Sequence, residues 1–203
     1  MMVFVTDSVD SIRTAIIDDP GNAGMTAKGW QPIFTAGPEA RIVIVGQAPG
    51  AAAQETGIPW NDASGKKLRT WLGLSDEQFY DPNLVALIPM DFYYPGKGKH
   101  GDMPPRQGFA AKWHPPLLAL MPRVSLTVLI GAYAQDYYLG RTAKQNLTET
   151  VRDFADYLPD FFPLVHPSPL NFRWQAKNPW FEETVIPELQ RNVARVIGLI
   201  KIV

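Results

Sequence analysis

The stretch His166-Pro167-Ser168-Pro169-Leu170-Asn171 brings together residue types that could do chemistry. It follows a short apolar run, Phe161-Phe162-Pro163-Leu164-Val165, which is expected to be a buried strand leaving the core. Two prolines fix φ and remove backbone donors, so the loop can neither pair as sheet nor coil into helix. A histidine ahead of so stiff a loop, with a serine and an asparagine inside it, makes a preorganised hydrogen-bonding set. The competing account is a turn histidine satisfied by its own loop. A second loop tips the balance: Gly46-Gln47-Ala48-Pro49-Gly50 ends another strand-like run, and Gly57-Ile58-Pro59-Trp60 follows it.

Four apolar runs must hold these loops. Arg41–Val45 is a continuous β-branched run of the kind found in strands buried on both faces. Leu84–Ile88, Ser125–Ile130 and Phe161–Val165 supply three more. Helices are expected between them. One spans about Asp7–Asp18, capped by Asp7 or Ser8. Another runs from near Ser64 to its stop at Gly73, and Ser75 with Gln78 forms a capping box for the next. Further helices are expected over Trp113–Met121 and Gly131–Leu139. Asn146 caps a stripe of Leu147, Val151, Phe154, Ala155 and Leu158. A last helix starts at Asn178-Pro179, is kinked or restarted by Pro187, and carries an apolar stripe ending at Ile200. Residues 20–40 look like an irregular connector.

This alternation gives an α/β fold, a three-layer α/β/α sandwich with a central four-stranded parallel sheet, as one domain over residues 1–203. Ligands bind such sheets at the carboxyl ends of the strands. The loops Gly46–Asp62, Pro89–Arg106 and His166–Arg173 therefore converge on one rim. They bring His166, Gln47 and Trp60 to a basic, aromatic loop, Tyr93 to His100. A loop as long as Pro89–Arg106 is usually functional or disordered, and its aromatic and proline content argues for order.

Composition narrows the chemistry. With 203 residues, the chain is long enough for a sizeable core. It has no cysteine, which excludes disulfides, thiolate nucleophiles, Cys-ligated zinc and iron–sulfur clusters. Three histidines, His100, His114 and His166, leave little for a His-rich metal site, so neither metal nor cofactor is expected. No apolar run reaches the length of a membrane span, and no basic-then-apolar signal pattern opens the sequence, so a cytoplasmic protein is expected. A net charge of −1 makes any nucleic-acid binding local.

The two loops, in this order and with an aromatic segment between them, resemble the signature loops of the uracil-DNA glycosylase superfamily, over roughly residues 40–190. The resemblance implies the same fold, DNA as partner, base flipping, and hydrolysis of the bond between a uracil-like base and its sugar. His166 becomes the donor to the charge developing on the base, a group whose loss costs on the order of 10²–10³ in rate. Trp60 stacks on the base, a contact worth about 1–3 kcal/mol. Backbone amides near Gln47, Ala48 and Gly50 orient the base carbonyl or the attacking water. Pro167, Ser168, Pro169 and Asn171 hold flanking phosphates, and Leu170, Phe172 or Arg173 fills the gap in the duplex. Lys97, Lys99 and His100 contact DNA from the long loop.

The departures bear on mechanism. Well-known branches carry a carboxylate in the first loop, whereas Gln47 can position water but cannot deprotonate it. Asp62 and Asp91 are the nearest substitutes by sequence. Pro89-Met90-Asp91 stands where relatives carry a base-pairing asparagine, so Met90 and Asp91 are expected to meet the base there. Other features have blander accounts: Lys66, Lys67 and Arg69 as a solvated helix face, Trp113, Trp174 and Trp180 as packing, Tyr133, Tyr137 and Tyr138 likewise. Trp60 could itself be core. The reading is a monomeric DNA glycosylase. The alternatives are a weak or silent relative that binds damaged or single-stranded DNA in the same cleft, and a hydrolase of nucleosides or another small molecule.

Overall fold

The computed structural model describes residues 8–99 and 101–199. His100, Ile200 and the alternative cap Asp7 lie outside the described residues. The strands are β1 (Ile42–Val45), β2 (Val85–Leu87), the short hairpin pair β3 (Lys97–Gly98) and β4 (Gly101–Asp102), β5 (Leu126–Ile130) and β6 (Phe161–Leu164). Four of them form one parallel sheet in the order β2-β1-β5-β6. Pro163 lacks a ladder donor and is tolerated because β6 is an edge.

The β-branched runs alternate faces. Ile42, Ile44, Val85, Leu87, Val128, Phe162 and Leu164 enter one core, while Val43, Val45, Ala86 and Leu129 enter the other. The second core is covered by α1 (Val9–Ile17) through Ile12 and Ile16, and is extended by the short helix α2 (Ala23–Thr26) in the connector, through Met25. After β1 come α3 (Ala51–Thr56), α4 (Ala63–Leu72) and α5 (Asp76–Tyr80). Leu68, Trp71 and Leu72 of α4 and Phe79 of α5 cover the first core. The Ser75–Gln78 capping box forms with both of its hydrogen bonds.

α6 (Phe109–Ala119) and α7 (Ala132–Leu139) return to the second core. α6 begins four residues before the expected start, behind Gly108 at φ 78°, and absorbs Pro115 and Pro116 in its interior. α8 (Leu147–Arg152) is capped by Asn146 but ends early, and its apolar stripe continues as a 3₁₀ turn over Phe154–Tyr157. α9 (Phe172–Lys177) occupies a stretch expected to be loop. Pro187 has no N–H to donate, and the chain opens into a π turn over Phe181–Val185 before α10 (Ile186–Val196). The result is the α/β/α sandwich expected from the sequence. The sheet order puts the topological switch point between β1 and β5, beside the loops that carry Gln47 and His166.

Candidate active site

The loops after β1, β2 and β6 meet around a cleft of about 360 Å³, lined among others by Gln47, Ala48, Gly50, Trp60, Lys97 and His166. Three segments far apart in sequence thus reach one rim. A second recess of about 300 Å³ lies between the ends of β5 and β6, against Gly131, Tyr133 and Asn171. Gln47 and His166 line both hollows and so stand between them.

His166 is held by its own loop. The Ser168 N–H donates to His166 Nδ1 at 3.1 Å, and the Asn171 side-chain amide donates to the His166 carbonyl at 2.7 Å. The Ser168 hydroxyl accepts from the Leu170 N–H at 3.2 Å, which closes the turn. Because Nδ1 accepts, the proton of the neutral imidazole sits on Nε2. The residue is exposed at the cleft mouth, yet its ring is hemmed in by protein. That desolvation lowers the pKa below the ordinary imidazole value, against the pull of the Asp62 and Asp102 carboxylates. The imidazole is therefore a neutral N–H donor at pH 7.

Trp60 faces this ring, with centroids 5.8 Å apart and planes 30° from parallel. Among the described residues it is the only non-glycine at positive φ, 56°. A bulky residue in that region costs on the order of 1–3 kcal/mol and persists only where its surroundings impose it. Here they do. The Trp60 carbonyl accepts from Arg69 Nη1 at 3.1 Å and from the Tyr80 hydroxyl at 3.2 Å. Its ring lies over Gly46, where a β-carbon would stand 2.8 Å from Cζ2. Arg69, expected on a solvated face, is instead tied to Asp76 and to this carbonyl.

Gln47 donates its side-chain amide to the Met103 carbonyl at 2.8 Å, fastening the first loop to the β3–β4 hairpin. The hairpin lies inside the long loop expected to lack regular structure. It brings Lys97 and Asp102 to the cleft, beside Tyr94, whose N–H donates to Gln54 Oε1 at 2.8 Å. Tyr94 belongs to the aromatic loop expected at this rim, whereas Asp102 is not singled out by the sequence; the Gly98-to-Gly101 spacing at a tight turn is the available signal.

Two expected base-binding residues are not brought to the cleft. Met90 packs its side chain into the second core and gives its N–H to the Gly46 carbonyl at 2.8 Å. Asp91 is fully buried and gripped by Arg106, with Nε to Oδ2 at 2.7 Å and Nη2 to Oδ1 at 2.8 Å. The Tyr93 and Arg106 N–H groups, each at 3.1 Å, complete its shell. A carboxylate so satisfied ties the two ends of the long loop together and is not a substitute base. Asp62 does line the cleft, but its Oδ1 caps α4 through the Gly65 N–H at 2.8 Å.

Behind the cleft wall, His114 is buried, and that burial takes its pKa down to about 4. Its Nε2–H donates to the Pro89 carbonyl at 3.0 Å, and its Nδ1 accepts from the Tyr138 hydroxyl at 2.7 Å. Tyr133 and Tyr137, read as packing residues, are 44% and 41% exposed. Trp113, Trp174 and Trp180 do pack into or against the cores. Lys99 and Arg173 are exposed and stand outside the cleft lining, with the Arg173 guanidinium 5.6 Å from the Phe172 ring centre. Pro167 is buried, Ser168 and Asn171 are half-buried, and Pro169 is exposed.

Among the described residues, no helix is long and apolar enough to cross a membrane. No group of three or more His, Asp or Glu side chains among them is placed to hold a metal ion. The chain is similar to the solution NMR structure of a candidate uracil DNA glycosylase from Methanosarcina acetivorans. That likeness is loose: 16% identity over 80% of this chain and 94% of the other, with a TM-score of 0.44. The family itself is given by sequence. The family model described as the uracil DNA glycosylase superfamily matches residues 34–190, well over half of the chain, and spans both loops and the cleft between them. The chain belongs to the uracil DNA glycosylase superfamily.

Proposed function

We propose that the protein is a monofunctional DNA glycosylase that hydrolyses the N-glycosidic bond of uracil, or a related deaminated base, flipped out of DNA. The observation that carries this reading is the hydrogen bond from the Ser168 N–H to His166 Nδ1 at 3.1 Å. It leaves a neutral Nε2–H as the donor to the base oxygen, where negative charge gathers as the bond breaks. A donor set in place before the reaction needs no reorganisation during it. Trp60 stacks on the base, and its imposed backbone keeps the ring from following the base out.

Gln47 spends its amide nitrogen on Met103, so its Oε1 is the end left to hold the attacking water. Ala48 and Gly50 border the base from the first loop. Ser168, Pro169 and Asn171 meet the phosphates beside the flipped nucleotide, with Lys97, Lys99 and Arg173 tracking the strand further out. Leu170 and Phe172, 85% and 60% exposed, fill the space the base vacates. Action as a monomer in the cytoplasm is part of the same proposal.

The test is a labelled oligonucleotide carrying one uracil, hypoxanthine or xanthine, single-stranded or paired, incubated with the protein and cleaved with hot alkali. Strand breaks at the damaged position, absent from the undamaged control, support the reading. A second reading, a silent relative that binds damaged DNA, is favoured by the first loop's lack of a carboxylate. It predicts a salt-sensitive gel shift with no break.

A further inference from the structure

We infer that Asp102, delivered from the β3–β4 hairpin, is the carboxylate that serves the water and the sugar cation, in place of the acid missing from the first loop. The inference rests on the glycosylase reading. Three carboxylates lie close to the cleft in sequence or space, and their commitments differ. Asp91 is buried against Arg106 and neutralised by it. Asp62 has Oδ1 engaged as the cap of α4. Asp102 lines the cleft, is exposed, and among the described residues has a single long contact, from the Tyr94 hydroxyl at 3.4 Å.

Its position is fixed by the residue it would assist. Gln47 holds the carbonyl of Met103, the next residue along, at 2.8 Å. The hairpin register, Lys97 with Asp102 and Gly98 with Gly101, keeps that strand in place. Gln47 and Asp102 thus border one hollow across a clamp made by Gln47 itself. The long sequence separation concealed this, because no motif links the two positions.

The chemistry balances without a further reactant. The bond between C1′ and the base nitrogen breaks with both electrons leaving on the base, whose oxygen is met by His166 Nε2–H. The sugar becomes an oxocarbenium ion, which the Asp102 carboxylate stabilises across the cleft. The water held by Gln47 Oε1 forms the new bond to C1′ through its oxygen. Its surplus proton passes to Asp102 and then to the departed base or to solvent. The products are the free neutral base and an abasic sugar.

The test is single-turnover excision, with enzyme in excess over single-uracil DNA, for the wild type, Asp102→Asn and Asp102→Ala, with His166→Ala alongside. Asp102→Asn should lower the rate about 100-fold or more while leaving DNA affinity within a few-fold, because general-base help is typically worth ~10²–10⁴. Formate should restore part of the rate to Asp102→Ala by supplying a carboxylate, an effect a merely structural role would not show. A rate for Asp102→Asn within about threefold of wild type, with His166→Ala still inactive, would overturn the inference and leave the glycosylase reading standing. A loss that lies wholly in DNA affinity would also overturn it. A wild type that releases no base from any of these DNAs removes the glycosylase reading and this inference with it.

Discussion

A β-carbon on Gly65 would lie 1.7 Å from the Trp60 carbonyl oxygen, so the start of α4 and the strained turn at Trp60 can coexist only if residue 65 is glycine. The same turn presses the indole onto Gly46 from the other side. Two glycines far apart in sequence therefore fix one aromatic ring beside His166.

Gly65→Ala should destabilise the protein by roughly 1–3 kcal/mol or more, since backbone must move to admit the methyl group. Gly46→Ala should behave differently. Its β-carbon meets the edge of a ring, not backbone, so stability should fall less while excision drops on the order of 10-fold to 10²-fold, as expected of a misplaced reacting group. Denaturant melts and single-turnover rates on the two variants separate these outcomes. Equal losses of stability would contradict the geometry.

His166 is expected to act as a neutral donor, and its lowered pKa sets the sign of the pH dependence. Crowding disfavours the imidazolium, so the ring stays neutral to a lower pH than a free imidazole titrating near 6.5. The rate of base release should therefore fall to half its plateau only at a pH below 6.5. A rate already at half its plateau at pH 6.5 or above would show that the ring titrates as a free imidazole does or higher, and would contradict the crowding.

The strands were legible because both faces of the sheet are buried, which forces continuous β-branched runs such as Ile42–Val45. Caps at Ser8, Ser75 and Asn146 were legible because their side chains bond backbone three residues on. α9 was not: Phe172 and Arg173 are exposed, so no apolar stripe marks the helix, and its anchor is a tertiary bond from Trp174 to Thr148 at 3.0 Å. The site divides the same way. His166 and Gln47 stand in short motifs, whereas Asp102 reaches the cleft only through the hairpin. Asp91 looked available because sequence does not show that Arg106 has claimed it.

That ion pair gives a stability prediction. Arg106→Ala strips a fully buried carboxylate of its partner and should cost about 3–5 kcal/mol. Adding Asp91→Asn should recover part of the loss, because the uncompensated charge is gone. Chemical denaturation of the three proteins reads this directly. A loss under about 1 kcal/mol for Arg106→Ala would mean the pair behaves as if solvent-exposed.

His114 should make the fold acid-sensitive. Its folded pKa is about 4 against 6.5 for a free imidazole, so the unfolded chain binds the extra proton first as pH falls. Stability is full above 6.5, declines between 6.5 and about 4 by roughly 3 kcal/mol, and changes no further below that on this account. His114→Gln should flatten that slope in melts at pH 7 and pH 5, and an unchanged slope would contradict it.

The central claim is that His166 Nε2–H stabilises a departing base. Its most direct test is the amount of free uracil released from single-uracil DNA by the wild type and by His166→Ala, measured by mass spectrometry alongside DNA affinity. The account predicts release by the wild type and a loss of about 10²–10³ in rate for the variant, with affinity largely kept. Equal release by the two proteins would contradict it.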